Sequence, residues 1–194
     1  MYKIAISGKA NAGKDTVAKF FPEVYNVLHN RTCTVKHYSL AEPIKEMVML
    51  MLPATNRNIL YGPSENRKQI VPGAFKDGQP LTYRALLQDL GTDVCRSYKS
   101  DIWLDVLDYN FQHYQNYGYD FFTISDCRFP NEIYHCKKND FIVIRIKRPS
   151  QLILDHPSET LQDTVKDNEF NFIIDNNGTI EDLKEKVINI LKTI

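Results

Sequence analysis

Cysteine is scarce and follows no pairing pattern. Cys33, Cys95, Cys127 and Cys136 are irregularly spaced, with no C-x-x-C pair and no histidine at zinc-finger distance. A disulfide framework and a structural zinc site are therefore not expected, and the four read as free thiols of a reducing compartment. Long apolar runs are missing too. The longest, Met47 to Leu52, is far too short to span a bilayer. Met1 to Ser7 runs straight into a strand-like pattern without the apolar segment and cleavage site of a signal peptide, so the cytoplasm is the expected compartment. There is no charge excess of either sign: 24 Lys plus Arg stand against 24 Asp plus Glu. Basic clusters reach only pairs such as Lys137-Lys138 and Lys147-Arg148, which gives neither nucleic acid nor an acidic membrane a footing as partner.

What the chain has is the makings of one globular domain. At 194 residues and 43% hydrophobic content it can bury a core without a covalent or metal staple. Ile4 to Ile6 is a short apolar run closed by Ser7-Gly8, and a helical stripe through Val17, Phe20, Phe21 and Val24 follows from Lys14. Pro22 within that stripe predicts a kink or a restart. Val35 to Leu40 reads as a second strand, and Ala41 to Leu52 as a helix stopped by Pro53. Residues 54–80 show little periodicity and read as an irregular surface excursion. Leu81 to Tyr98 returns to a helical stripe interrupted by Gly91, and a further helix runs from Asp101 to Tyr117. Phe121 to Ile124, Phe141 to Ile146 and Phe172 to Ile174 are the remaining strands, and a terminal helix spans Ile180 to Leu191. Strands alternating with helices predict an α/β fold, a five-stranded parallel sheet with helices on both faces, whose ligands bind at the carboxyl ends of the strands.

At the first of those ends stands Gly8-Lys9-Ala10-Asn11-Ala12-Gly13-Lys14, a G-x-x-x-x-G-K sequence between strand and helix. This is the context a phosphate-binding loop requires. Glycines let the backbone curl so that N–H groups converge on phosphate oxygens, the helix presents its positive end, and Lys14 reaches the outer phosphates. The plain alternative is a Gly-Lys turn ahead of a surface helix. Asp15 replaces the usual hydroxyl residue and Thr16 follows, the G-K-x-T arrangement of nucleoside monophosphate kinases, in which Mg²⁺ is held largely through water. Asp15 is then a candidate for a metal-bound water or for the acceptor end; otherwise it is a first-turn acid favoured by the helix dipole.

No Asn-Lys-x-Asp motif of a GTPase is present, and the third strand ends Ser125-Asp126-Cys127-Arg128 without the Asp-Glu of water-activating ATPases. Transfer to a bound acceptor is the better reading. Three rivals stand beside a nucleotide acceptor: a small alcohol such as a nucleoside, with Asp126 taking the hydroxyl proton; another phosphorylated metabolite of the phosphomevalonate type; and a non-catalytic nucleotide-binding regulator.

Several blocks now combine. The G-K-D-T ending of the loop, Ala41-Glu42-Pro43-Ile44-Lys45-Glu46, Leu86-Leu87-Gln88-Asp89-Leu90-Gly91-Thr92, Trp103, Ser125-Asp126-Cys127-Arg128-Phe129-Pro130-Asn131-Glu132 and His156-Pro157-Ser158-Glu159 together resemble the phage-type deoxynucleoside monophosphate kinases. The blocks keep the family's order over nearly the whole chain. The resemblance implies an adenylate-kinase-like P-loop fold of three layers and transfer of the ATP γ-phosphate, with Mg²⁺, to a deoxynucleoside 5'-monophosphate. It implies one kinase domain, with an acceptor-binding insertion at about 41–118 and a lid at about 148–168.

By position, Gly8, Ala10, Asn11, Ala12, Gly13, Lys14 and Thr16 would hold ATP with Arg148 from the lid, and Asp15 and Thr16 the metal. Lys14, Asp15, Asp126 and Arg128 would carry the chemistry. Gln88, Gly91, Thr92 and Trp103 would form the acceptor pocket, with Arg84 where the family often has a lysine one position later. Asp126, Arg128 and Glu132 would line the phosphate and sugar side. Each has a competitor: a solvated Gln88, a core Trp103, a strand-end cap at Asp126, a surface ion pair at Arg128 and a dipole-favoured acid at Glu132. His156 and Glu159 are either lid groups or exposed polar loop. The sequence does not read out an oligomeric state; pairing of two copies through the long helices is common for such kinases, by analogy alone.

Overall fold

A computed structural model of the chain describes residues 1–149 and 156–194. The backbone divides into two compact units, residues 1–40 with 107–194, and residues 41–106.

The larger unit is built on five parallel strands: β1 (Tyr2–Ser7), β2 (Val35–Tyr38), β5 (Phe121–Cys127), β6 (Ile142–Lys147) and β7 (Phe172–Asp175), in the order β2-β5-β1-β6-β7. Central β1 pairs with both β5 and β6, and Ile4, Ala5 and Ile6 have no solvent exposure. A strand covered on both faces has no polar side to show, which is why the central strands read as unbroken apolar runs. Helices α1 (Lys14–His29) and α9 (Ile180–Thr193) cover one face. There Val17, Phe21 and Val24 meet Leu183, Val187 and Ile190 over Ile4, Ile6, Phe121 and Ile144. The next residue along β5, Phe122, points the other way and meets Phe111 of α6 (Ile102–Tyr114) edge-on at 4.8 Å. Helix α7 (Pro130–Lys138) covers the same face through Ile133 and Cys136, both fully buried. This is the expected three-layer α/β arrangement. Pro22 neither splits nor ends α1, which runs unbroken from Lys14 to His29.

The smaller unit contains α2 (Glu42–Met51), α3 (Arg57–Tyr61), the antiparallel pair β3 (Ile70–Lys76) and β4 (Gln79–Thr82), then α4 (Tyr83–Gln88) and α5 (Cys95–Tyr98). One expectation is corrected here. Residues 54–80 are not an irregular excursion, because Lys76 pairs with Gln79 across Asp77-Gly78, whose φ values of 51° and 75° make the tight turn that suits the strand twist. The helix expected from Leu81 to Tyr98 is present as one continuous helical run from Tyr83 to Tyr98: α4, a wide π-helical turn at Asp89–Val94, and α5. Gly91 lies in that turn, and a Cβ there would come within 2.6 Å of Ile44 Cδ1, so the close packing on α2 needs a glycine.

The expected lid at 148–168 falls partly on residues 150–155, outside the described residues. From His156 onward the chain folds as α8 (Pro157–Thr160) and two 3-10 turns, Leu161–Thr164 and Asp167–Glu169. Among the described residues no helix is long and apolar enough to cross a membrane.

Candidate active site

The loop after β1 curls as its glycines permit. Gly8 has φ 152°, Asn11 60° and Gly13 98°. A Cβ on Gly8 would stand 2.7 Å from the Ile146 carbonyl, and one on Gly13 would stand 2.6 Å from Asn176 Nδ2. Asn176 follows β7 and braces the loop by donating to the Ala12 carbonyl at 2.8 Å. The loop is thus gripped by the neighbouring strand ends while α1 starts at Lys14 behind it.

Lys14 is only 8% exposed. Its Nζ donates to the carbonyls of Gly8 and Lys9, each at 2.7 Å. Burial away from water disfavours the ammonium, and the Arg128 guanidinium adds repulsion. Asp15 and Asp126 oppose both only in part, and the pKa falls from 10.5 to about 7.

The end of β5 supplies the facing groups. Ser125 Oγ donates to Asp15 Oδ1 at 2.6 Å, which joins the first turn of α1 to the strand. Asp126 accepts from Ser39 Oγ at 2.6 Å and from the Leu40 amide at 2.9 Å, and so fixes the chain leaving β2. Glu132, 2% exposed, accepts from the amides of Arg128 and Phe129 at 2.6 and 3.0 Å. Its carboxylate is that of a helix-start acid that shapes the turn carrying Arg128. The Arg128 guanidinium forms an ion pair with Glu159 of α8, whose other oxygen accepts from the Ala10 amide at 3.0 Å. Arg148 Nη1 donates to the Asn11 carbonyl at 3.3 Å. In the larger unit, then, Lys14, Asp15, Asp126, Arg128 and Arg148 gather around the phosphate loop, with Thr16 one residue along α1.

Glu159 and Asn176 are the parts that sequence spacing did not single out for these tasks. Glu159 belongs to the H-P-S-E block, and Asn176 to the turn Asn176-Asn177-Gly178-Thr179, which reads first as a turn with an N-cap and also looks family-like. Beside the loop lies a cavity of about 400 Å³ lined by Gly8, Lys9, Lys147, Arg148, Asp175 and Asn177, among others.

In the smaller unit, Arg84 donates to Ser64 Oγ at 2.7 Å and to the Ser64 carbonyl at 3.1 Å. Gln88 ends α4, and Gly91 and Thr92 lie in the wide turn. Trp103 is 4% exposed, packed with Ile44 and Cys95, and its indole N–H donates to the Gly91 carbonyl at 2.8 Å. Its ring is core, and its indole N–H is bonded to the turn.

Among the described residues no cluster of three or more His, Cys, Asp or Glu could cage a metal ion. The exposed carboxylate of Asp15, steadied by Ser125, suits a different kind of ion. Mg²⁺ keeps several waters and takes one or two carboxylates alongside substrate phosphates.

Comparison with known proteins agrees with the arrangement. The family described as deoxynucleotide monophosphate kinase matches residues 53–187. A protein of Acanthamoeba polyphaga mimivirus, provisionally named a deoxynucleotide monophosphate kinase, is 27% identical over 199 residues, covering 97% of this chain and 95% of its own length. The deoxynucleotide monophosphate kinase of Enterobacteria phage T4 is 28% identical over 112 residues, 57% of this chain and 46% of that protein. Among solved structures, an unliganded sugar kinase from Janibacter sp. HTCC2649 superposes with a TM-score of 0.51 at 12% identity, covering 99% of this chain and 95% of that one. At such identity the likeness speaks for the fold alone.

Proposed function

This chain belongs to the deoxynucleotide monophosphate kinase family, and on that premise we propose that it transfers the γ-phosphate of ATP to a deoxynucleoside 5'-monophosphate, giving ADP and the deoxynucleoside diphosphate. The observation that carries the reading is the curled loop of Gly8 to Lys14, with the buried Lys14 ammonium group and the Arg128 guanidinium gathered in one unit.

The acceptor explains why no general base is needed. A nucleotide phosphate has its second pKa at about 6 and is already an anionic nucleophile at neutral pH. The protein's work is to align donor and acceptor and to neutralise charge along the line of transfer. Lys14 and the loop amides serve the donor phosphates. Arg128, with a planar fork suited to phosphate, serves the transferring or accepting group. Mg²⁺, where bound, supplies further charge neutralisation across the donor phosphates, and Asp15 and Thr16 would hold it mainly through water. The cavity beside Arg148 and Asn177 suits the nucleoside part of ATP.

Arg84, Gln88, Gly91 and Thr92 are read as ligands of the acceptor nucleotide, Gln88 offering both a donor and an acceptor to a base edge. Trp103 acts there by holding the Gly91 backbone. Asp126 and Glu132 position the segments that bear the ligands. In this reading the chain is one kinase domain with an acceptor-binding insertion at about 41–118 and a lid at about 148–168.

The test is ADP formation from ATP and Mg²⁺ with dAMP, dCMP, dGMP, dTMP and their ribonucleotide counterparts, each alone and with no acceptor. Turnover that depends on one or more deoxynucleoside monophosphates is expected. ADP formation indifferent to acceptor, or none at all, would overturn the reading.

A further inference from the structure

Glu159 has no task in the reaction as proposed so far, yet it is a buried acid bonded directly to the phosphate loop. It is 3% exposed. A carboxylate taken that far out of water is tolerated only when its oxygens are paired. Both are: one carries the ion pair with Arg128, the other accepts from the Ala10 amide at 3.0 Å. The segment bearing it is itself fastened to the sheet. Gln162, 2% exposed, donates to the Glu159 carbonyl at 3.2 Å and accepts from Ser7 Oγ at 3.4 Å. His156 Nδ1 accepts from the Ser158 amide at 3.2 Å and so starts the short helix. A single buried carboxylate thus ties the guanidinium at the end of β5 to the backbone of the loop after β1.

We propose that Glu159 is a positioning residue for phosphoryl transfer: it holds the Arg128 guanidinium in register with the phosphate loop and touches no substrate atom itself. This rests on the kinase reading above. The long side chain of Arg128 has many rotamers, and an arginine offered to phosphate without a partner would lose that freedom during the reaction. Fixed in advance by Glu159, it has already lost it. A guanidinium has five N–H donors, enough for a carboxylate and a phosphate together. A removed carboxylate also removes a negative charge near the phosphates, so ground-state binding should not suffer even as alignment is lost.

That contrast makes the proposal testable in four proteins: wild type, Glu159→Gln, Arg128→Ala and the double variant, assayed with ATP and the best acceptor. Glutamine keeps the shape and the oxygen for the Ala10 amide but gives up the charged partner of Arg128. Glu159→Gln is expected to lower kcat about 10- to 100-fold, the scale of a misplaced reacting group, while KM for both substrates stays within about threefold. In the Arg128→Ala background the same substitution should change kcat by less than about twofold, because it acts through a guanidinium no longer there. Losses that multiply independently, or a kcat unchanged by Glu159→Gln, would overturn the proposal and leave the kinase reading standing. A wild type with no acceptor-dependent turnover would overturn both. If Glu159→Gln does not fold, Arg128→Lys carries the test from the other side, since it keeps the cation but not the fork. A kcat within about threefold of wild type there would overturn the proposal.

Discussion

Lys14 should take up a proton when the phosphates of ATP arrive. Its Nζ rests on two carbonyl oxygens in a dry setting beside Arg128, and its pKa lies at about 7. Triphosphate oxygens put several negative charges against the same atom and favour the ammonium form strongly. At pH 8 a lysine with that pKa is about one-tenth protonated, so binding should draw in about 0.9 proton per site. At pH 8 the ligand's own phosphate is already ionised, so the uptake is Lys14's. Because only the protonated form binds well, apparent ATP affinity should be about fivefold weaker at pH 8 than at pH 7.

Isothermal titration calorimetry of a non-hydrolysable ATP analogue, repeated in buffers of different ionisation enthalpy, reads the proton count directly. Lys14→Met should abolish the uptake. No uptake by wild type at pH 8, or an equal uptake by Lys14→Met, would refute the argument. The same pKa fixes a stability trend. Unfolded, the lysine would titrate near 10.5, so between about pH 7 and 10.5 the unfolded chain binds the extra proton and the cost of burying Lys14 falls away as pH rises. Below about pH 7 both states carry the charge, and its burial is an undiminished cost.

Asp15→Asn should raise the Mg²⁺ concentration for half-maximal turnover about tenfold, read from a metal titration at saturating ATP, since it removes charge at the start of α1 and weakens the bond to Ser125. An unchanged midpoint would remove Asp15 from the metal's surroundings. Gly91→Ala sets a methyl within 2.6 Å of Ile44 Cδ1 and should cost about 1 kcal/mol in urea unfolding. Adding Ile44→Val, which deletes that carbon, should recover most of the loss, and a pair of purely additive losses would refute the steric account.

How much of this was legible in the sequence depended on how local each signal is. β1, β5 and β6 are buried on both faces, so their apolar runs announce them without reference to anything else. β3 is the opposite case. Ile70 and Phe75 are exposed, Pro72 and Gly73 interrupt it, and no alternation survives; the Asp77-Gly78 turn was the one signal available. The need for glycine at position 91 comes from Ile44, some 45 residues earlier, and no periodicity inside the window can report a neighbour from outside it.

The site divides along the same line. The loop from Gly8 to Lys14 is a contiguous mechanism, so residue spacing is enough to recognise it. The groups that give it its properties are pairs across the chain: Asn176 with Ala12, Asp126 with Leu40, Glu159 with Arg128. They share a logic that a list of motif residues does not convey. Each potent group has a partner within the chain: Lys14 rests on carbonyls and sheds its proton easily, Arg128 pairs with Glu159, and Asp126 accepts from backbone and hydroxyl. The ligand therefore does not enter a field of unsatisfied charge. It must exchange one set of bonds for another, and Lys14 is where that exchange is cheapest, because two neutral carbonyls compete poorly with phosphate oxygens. For Arg128 the partner is a buried carboxylate that would be costly to strip, so the guanidinium should keep Glu159 and add the phosphate. The donor lysine is built to switch partners, and the arginine is built to stay put.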